Sequence, residues 1–229
     1  MKKLSLVLLA AMVALSMTAC SNDEGYDGYD GQESSSSVVG GTNDNNSDAA
    51  GEEVRDEVKG MADSYKSLLT DYVALVGNLS GKSNALADVA DELTPMLDEM
   101  TTADAAFVVD YFRMAELFDA VGIPDDFGEL PEYDTDSVSD KTADFCARFE
   151  TAANDFLACS GEVANTQTRV SEAQEQLNNF GGFNAAESAY VKNALGTLLD
   201  DAEAASDTGI AALNRIETSF AGLKTAFLS

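Results

Sequence analysis

The sequence has 229 residues, of which 41 are acidic and 13 basic, and it contains no histidine and no tryptophan. The absence of histidine excludes Ser-His and Cys-His nucleophile systems, the usual zinc sites, covalent haem attachment and ferritin-type di-iron sites. The formal net charge of −28 argues against nucleic acid or anionic lipid as a binding partner, because Lys and Arg side chains would be needed to contact phosphate.

The beginning of the chain has the layout of a secretory signal. Two lysines precede an almost unbroken apolar run from residue 4 to residue 17, which is shorter than the roughly 20 residues needed to span a bilayer. The run ends in Met17-Thr18-Ala19-Cys20, which resembles a lipobox, the cleavage site of bacterial signal peptidase II. The resemblance implies that residues 1–19 are removed and that lipid on Cys20 holds the mature chain on a membrane of the bacterial cell envelope.

Residues 20–50 differ sharply in composition from the rest of the chain, since Gly, Ser, Asn and Asp dominate them. Such a segment cannot bury enough apolar surface to offset the entropy lost on ordering, so we predict a disordered acidic tether between the lipid and the folded part. In enterobacterial lipoproteins, a serine next to the lipidated cysteine, here Ser21, implies release to the outer membrane, which is the location we favour.

Residues 51–229 predict one all-α domain. Their apolar residues recur at alternating spacings of four and three through four long segments, which indicates four long helices with heptad-like stripes. Ser80-Gly81 is expected to end the first helix, because Gly is the usual left-handed stop. The second helix is expected to be kinked near Pro95 and Thr101. The pattern is typical of an antiparallel helical bundle.

A long irregular connection and one further turn complete the predicted domain. The connection runs from residue 122 to residue 139 and precedes the third helix. Gly181-Gly182 is expected to stop that helix, and Asn184 with Glu187 three residues later resembles a capping box at the start of the last helix.

The long connection is crowded with carboxylates, which are the ligands that hard cations such as Ca²⁺ prefer. The spacing does not fit an EF-hand, so these residues are weak candidates for a metal site, and loose association of cations is the expectation. No cofactor is predicted. The six acidic residues are Asp125, Asp126, Glu129, Glu132, Asp134 and Asp136.

Two cysteines besides Cys20 raise the question of a disulfide, since an exported protein permits one. Cys146 and Cys159 are 13 residues apart on one predicted helix, so their Cα atoms would be roughly 20 Å apart, beyond the reach of a bridge. Cys159 is expected in the core and Cys146 beside the apolar stripe, partly exposed. A helix break near Ser160-Gly161 would instead allow the two to pair.

Two further patterns bear on ligand binding. The stretch from Gly77 to Ser83 looks like a phosphate-binding loop, but it is one residue short and follows a helix, so we predict a helix stop and turn. The middles of the last two long segments, 160–167 and 202–212, are small and polar. Close packing of helices is expected there, with Tyr65 filling a gap or a ligand pocket as the alternatives.

Three classes of function remain, and the first is favoured. A non-enzymatic envelope protein would present an acidic bundle to a protein or polymer partner, as the tether, the anchor and the missing catalytic residues suggest. Its charge would attract a basic partner. A bundle that binds a small molecule or a cation is the alternative. An enzyme based on paired carboxylates is the third class, and we predict that the chain is not an enzyme.

Overall fold

The computed structural model describes residues 53–122, 124 and 127–228, and no strand occurs among them. None of the described helices combines the length and the apolar composition that crossing a membrane requires. The all-α prediction is confirmed. The helices are α1 (Asp56–Glu99), α2 (Thr102–Met114), α3 (Leu117–Val121), α4 (Asp140–Phe180), α5 (Ala185–Leu195) and α6 (Leu198–Leu228), with a 3₁₀ turn at Thr135–Ser137.

Helix α1 packs against both of the other long helices, and side-chain contacts give the direction of each. Lys82 contacts Asp155 at 2.6 Å and Glu92 contacts Arg148 at 2.9 Å, so α1 and α4 run antiparallel. The Ser80 hydroxyl lies 3.4 Å from the carbonyl oxygen of Thr208 on α6. Further along α1, Arg215 of α6 contacts Asp88. Helices α1 and α6 therefore run parallel.

The core side of α1 follows a strict heptad pattern. Its fully or almost fully buried positions include residues 58, 65, 72, 79, 86 and 93, seven apart, and a second series at 62, 69, 76, 83 and 90. Both series continue without interruption across Ser80-Gly81, so the prediction that the helix ends there is wrong. The packing of two flanking helices outweighs the roughly 1 kcal/mol by which one Gly disfavours a helix.

The chain between α1 and α4, residues 101–139, is called the crossover segment here because it connects two antiparallel helices. Helix α1 ends at Glu99 with Pro95 still inside it, and α2 begins after Thr101, whose hydroxyl accepts a hydrogen bond from the backbone N–H of Asp104. The predicted interruption near Thr101 is thus a break between two helices. A kink at Pro95 itself is not confirmed.

The far end of α4 agrees with the sequence-based expectation in two respects. The helix stops at Gly181-Gly182, where both glycines have a φ of 62°, and Asn184 with Glu187 forms a complete capping box. The last predicted helix is divided, since the chain turns at Gly196 between α5 and α6. The described residues contain three helices longer than 30 residues, of 44, 41 and 31 residues, so four long helices are not confirmed.

The apolar core consists of two groups along the helices. Near the crossover segment, the buried residues include Phe112, Phe118, Phe145 and Phe149. In the other half, which holds the start of α1 and the end of α4, the buried residues are aliphatic except for two tyrosines. We call the end with the crossover segment the crossover end, and the opposite one the amino-terminal end.

Candidate functional site

The amino-terminal end is fastened by an ion pair between the residue before α1 and a residue of α5. The Arg55 guanidinium donates to both carboxylate oxygens of Glu187, at 2.6 Å from Nε and 2.8 Å from Nη2. The backbone N–H groups of Arg55 and Asn184 donate to the same carboxylate at 3.1 and 3.0 Å. The guanidinium also lies 4.7 Å from the centre of the Phe180 ring. Glu187 therefore has a partner for each oxygen although its side chain is fully buried.

This ion pair determines where the chain enters the helical domain. The Arg55 side chain, through its hydrogen bonds, is the largest cause that lowers the pKa of Glu187 to about 2, so the buried carboxylate stays ionised at neutral pH. Because Arg55 directly precedes α1, residues 53–55 are held against the turn between α4 and α5. Whatever precedes residue 53 is attached at the amino-terminal end.

At the crossover end, one buried carboxylate joins the start of α2 to the start of α4. Asp104 accepts hydrogen bonds from the backbone N–H of Ser139 at 2.9 Å and from the Thr101 hydroxyl at 2.7 Å. The Ser139 N–H is the largest cause that lowers the pKa of Asp104 to about 2. Ser139 is itself the N-cap of α4, where it accepts from the N–H of Thr142. The two ends of the crossover segment are thus held together by hydrogen bonds.

Helix α2 has a buried side and an outer side. Ala106, Val108, Val109 and Phe112 are buried on the inner side. The outer side carries Phe107, Tyr111 and Met114, which stand one helical turn apart. Phe107 and Tyr111 are half-buried, whereas Met114 is 70% exposed.

Tyr133 of the crossover segment completes this surface. Its ring and the Phe107 ring form a T-shaped pair with centroids 6.2 Å apart, and the Phe107 and Tyr111 centroids are 5.8 Å apart. We call Phe107, Tyr111, Met114 and Tyr133 the α2 face. Every other large apolar side chain that the structure describes is buried or half-buried, so the α2 face is the candidate functional site.

Two carboxylates lie at the edge of the α2 face and fix its tyrosines. The Tyr111 hydroxyl donates to Glu150 of α4, and the Tyr133 hydroxyl donates to Asp110 at 3.0 Å. The hydrogen bond to Glu150, together with burial, raises the pKa of Tyr111 to about 12, so the phenol keeps its proton. Each carboxylate uses one acceptor position for its tyrosine and has others available.

The sequence around the α2 face is strongly acidic. Between Thr101 and Asp140, the sequence has eleven acidic residues and one basic residue, Arg113. The Arg113 guanidinium donates to the carbonyl oxygen of Gly128 at 3.4 Å, which ties α2 to the following loop. The site can therefore offer apolar and aromatic surface within a negative electrostatic field.

The predicted metal candidates do not come together as a site in the part of the chain that the structure describes. Asp125 and Asp126 lie outside the described residues. Glu129 and Glu132 are exposed, and Asp134 accepts a hydrogen bond from the backbone N–H of Asp136 in the 3₁₀ turn. Among the described residues, no group of three or more Asp, Glu or Cys side chains is placed to hold a metal ion.

Cys146 and Cys159 are both free thiols, but their burial is the reverse of the expectation. Cys146 is fully buried, which raises the pKa of its thiol to about 12, and Cys159 is half-buried. The prediction was wrong because the buried side of α4 is rotated by one position there. The predicted apolar stripe ran through Ala152 and Cys159, whereas Ala153 and Ser160 face inward. Helix α4 runs unbroken past Ser160-Gly161, which keeps the two thiols too far apart to pair.

The small and polar stretches in mid-helix pack closely where contacts are described. Ser160, Ser206, Gly209 and Ala212 are all buried, and the Ser160 hydroxyl donates to the Leu157 carbonyl oxygen at 2.9 Å. The predicted turn at Gly77 to Ser83 is instead part of the interior of α1.

Three hydroxyl groups on the core side of α1 are buried without a hydrogen-bond partner among the described residues: those of Tyr65, Tyr72 and Ser83. Burial raises the pKa of Tyr65 to about 12. Ser206 lies near enough to Tyr72 to oppose the rise in its pKa, without making a hydrogen bond of normal geometry. These hydroxyls are the polar feature of the core that packing alone does not explain.

The sequence did not predict the ion pair that fixes the amino-terminal end. Arg55 and Glu187 are 132 residues apart, and Glu187 carried only the local signal of a capping box. The α2 face was missed because Phe107, Tyr111 and Met114 continue the alternating four-three spacing of the predicted second helix, and Tyr133 gave no periodic signal. Cys20 and the predicted signal and tether lie outside the described residues.

Comparisons of the chain with protein-family models, with curated proteins and with solved structures find no match.

Proposed function

We propose that this chain is a bacterial envelope lipoprotein with a non-enzymatic binding role, lipidated at Cys20 and held on the outer membrane. In this proposal the long helices act as a rigid antiparallel bundle. The bundle carries the α2 face away from the membrane and presents it to a protein or polymer partner.

The observation that carries the proposal is the separation between the entry of the chain and the α2 face. Arg55 is fixed at the amino-terminal end, whereas Met114 is exposed at the crossover end. Helix α1 connects the two ends, and its 44 residues correspond to a length of about 66 Å. A tether attached before residue 53 would therefore leave the α2 face near the end of the domain that is farther from the point of attachment.

The chemistry of the site supports binding rather than catalysis. Asp104 and Glu187, the two carboxylates whose pKa is lowered to about 2, use their oxygens to join segments of the fold. Tyr111 and Tyr133 are held in their protonated form by carboxylate acceptors and burial. With no histidine in the sequence, the usual general base is missing as well.

The anchor is tested by replacing Cys20 with alanine in the producing bacterium. We expect the native chain to fractionate with the outer membrane and to carry acyl chains detectable by mass spectrometry. The Cys20→Ala chain should accumulate as an unlipidated precursor. An unlipidated native chain that fractionates with soluble proteins would contradict the anchor.

The orientation is tested by a photo-crosslinking amino acid introduced at one site on each end of the domain. Position 114 probes the α2 face, and position 189, an exposed alanine of α5, is the matched control at the amino-terminal end. We expect a discrete crosslinked species from position 114 in intact cells, and none of the same mass from position 189. Equal products from both positions, or none from either, would contradict a partner at the crossover end.

A second candidate function is the binding of a small molecule or a cation inside the bundle. It is favoured by the hydroxyls of Tyr65 and Ser83, which are buried without a partner among the described residues. A ligand that raises the melting temperature of the native chain, but not of a Tyr65→Phe chain, would support this function. An unchanged melting temperature across a broad screen would count against it.

A further inference from the structure

The partner of the α2 face can be narrowed by its chemistry. The face combines an exposed Met114 with the half-buried rings of Phe107, Tyr111 and Tyr133, so it offers apolar contact area. Methionine adapts its shape to many partners and is common at binding surfaces. An apolar surface of this kind becomes a stable contact only when a partner removes it from water.

The charge around the face selects among possible occupants. Eleven acidic residues against one basic residue between Thr101 and Asp140 would repel an anionic polymer or an acidic protein. A second copy of this chain would bring the same charges and is disfavoured for the same reason. A neutral polysaccharide would gain nothing from the acidic surroundings.

A cationic side chain with an apolar stem fits both features of the site. The stems of Arg and Lys can cover Met114 and the rings while their charged ends remain near carboxylates. Asp110 and Glu150 are held at the edge of the rings by the hydroxyls of Tyr133 and Tyr111. Their remaining acceptor positions are available to a guanidinium or an ammonium group, and the ring faces also attract cations.

We propose that the α2 face binds a basic segment of a partner protein, with Arg or Lys stems on Met114 and its neighbouring rings and their charges on Asp110 and Glu150. The inference rests on the proposed function and adds the class of partner. It implies that binding depends on both charge and apolar contact, which distinguishes it from general attraction between an acidic chain and any cation.

The test uses the full mature chain, lipidated and inserted in nanodiscs of phosphatidylcholine. The probe is a fluorescent peptide of five Arg-Gly repeats, and its neutral counterpart has five Ser-Gly repeats. Binding is followed by fluorescence anisotropy at low and at physiological salt. We expect the basic probe to bind, more weakly at higher salt, and the neutral probe to show no binding.

The decisive variant is Met114→Asp, because it removes apolar contact while it adds a negative charge. If apolar contact matters, the basic probe should bind this chain about tenfold more weakly. The matched control is Ser171→Asp, an exposed position of α4 that is about 30 Å along the helix from Glu150. The control should bind the probe as tightly as the native chain, or slightly more tightly.

A second variant guards against a folding defect in the first. Met114→Ala adds no charge and should bind about threefold more weakly, with an unchanged melting temperature. The proposal is overturned if the basic probe does not bind, or if Met114→Asp binds it at least as tightly as the native chain does. If the probe test fails in either way but position 114 still crosslinks a partner in cells, the idea of a basic partner is wrong and the proposed function stands.

Discussion

Each end of the helical domain has a hydrogen-bonded buried carboxylate, Asp104 or Glu187, and the crossover end also has a cluster of buried phenylalanine rings. At the amino-terminal end, a charged pair joins Arg55 to Glu187 across 132 residues of sequence. At the crossover end, the Phe112 ring lies 4.8 Å from that of Phe149 and 5.6 Å from that of Phe227. Hydrogen-bonded charges depend on pH and on each partner, whereas ring packing depends mainly on shape and buried area.

The difference suggests a division of tasks between the two ends. The α2 face needs a firm base to keep its rings in place, and the buried phenylalanines behind it supply one. The amino-terminal end needs only to keep the entry of the chain in one position, for which a directional ion pair suffices. Substitutions at matched positions can test whether stability is divided in this way.

The largest effect is expected from Phe112→Ala at the crossover end. The side chain is fully buried and contacts three other phenylalanine rings. Its truncation should lower the free energy of unfolding by about 4 kcal/mol, as measured by chemical denaturation. Met114→Ala, two residues away on the outer side of α2, should change it by less than about 0.5 kcal/mol. Similar losses in both variants would contradict the assignment of an inner and an outer side.

A smaller effect is expected from Arg55→Ala at the amino-terminal end. The substitution leaves the buried Glu187 carboxylate without its main partner, so the melting temperature should fall by several degrees. Lys59 forms an exposed ion pair with Asp56 in the first turn of α1, and Lys59→Ala is the control. It should shift the melting temperature by about one degree at most. If Lys59→Ala is as damaging as Arg55→Ala, the buried pair has no special role.

Asp104→Asn should reveal the pH dependence that the buried carboxylates confer. Asp104 has a pKa of about 2 in the folded chain, below the value of about 4 expected after unfolding. Its ionised form therefore stabilises the fold above pH 4, and this contribution is lost as the pH falls through 2. At pH 7 the variant should be less stable by about 1–2 kcal/mol, because hydrogen bonds to a charged acceptor are replaced by neutral ones.

The acid range sharpens this prediction. Denaturation curves at pH 7, 4 and 2 should show the gap between native and Asp104→Asn chains shrinking toward the lowest pH. Asp98→Asn, at an exposed position near the end of α1, should leave the stability at pH 7 within about 0.5 kcal/mol of the native chain. A gap that stays constant from pH 7 to pH 2 would mean that Asp104 is not ionised in the way its hydrogen bonds indicate.

The sequence predicts local features of the fold better than contacts between distant segments. The helical class, the stop at Gly181-Gly182 and the capping box at Asn184 all depend on residues within one or two turns of each other. Ser80-Gly81 was misread because a local stop signal competes there with two flanking helices. The heptad spacing from residue 79 to residue 86 already indicated one continuous helix.

Local sequence patterns could not predict the candidate site, and the reason is physical. Its rings come from α2 and from Tyr133, and its carboxylates come from α2 and α4, so only the folded chain brings them together. The acidic composition of the long connection was visible in the sequence, but it led only to weak metal candidates. The apolar residues of the α2 face were assigned to the core instead. The sequence could not show that Met114 is exposed, because the same spacing of apolar residues also fits the buried side of a helix.

The smallest change in stability is expected from Tyr65→Phe, and it distinguishes the two halves of the core. Tyr65 is 3% exposed, and its hydroxyl has no hydrogen-bond partner among the described residues. Tyr65→Phe removes a buried polar atom and keeps the ring, so the free energy of unfolding should stay unchanged or rise by up to about 1 kcal/mol. Chemical denaturation of the native and variant chains in the same buffer measures the difference.

Tyr111→Phe at the crossover end is the matched control, and its expected sign is opposite. The Tyr111 hydroxyl donates to Glu150, so its removal should lower the free energy of unfolding by about 1 kcal/mol. A loss of about 1 kcal/mol from Tyr65→Phe as well would mean that its hydroxyl has a favourable partner in solution. A buried water molecule is enough to be such a partner, so that result would remove the support that this unpartnered hydroxyl gives to the small-molecule function.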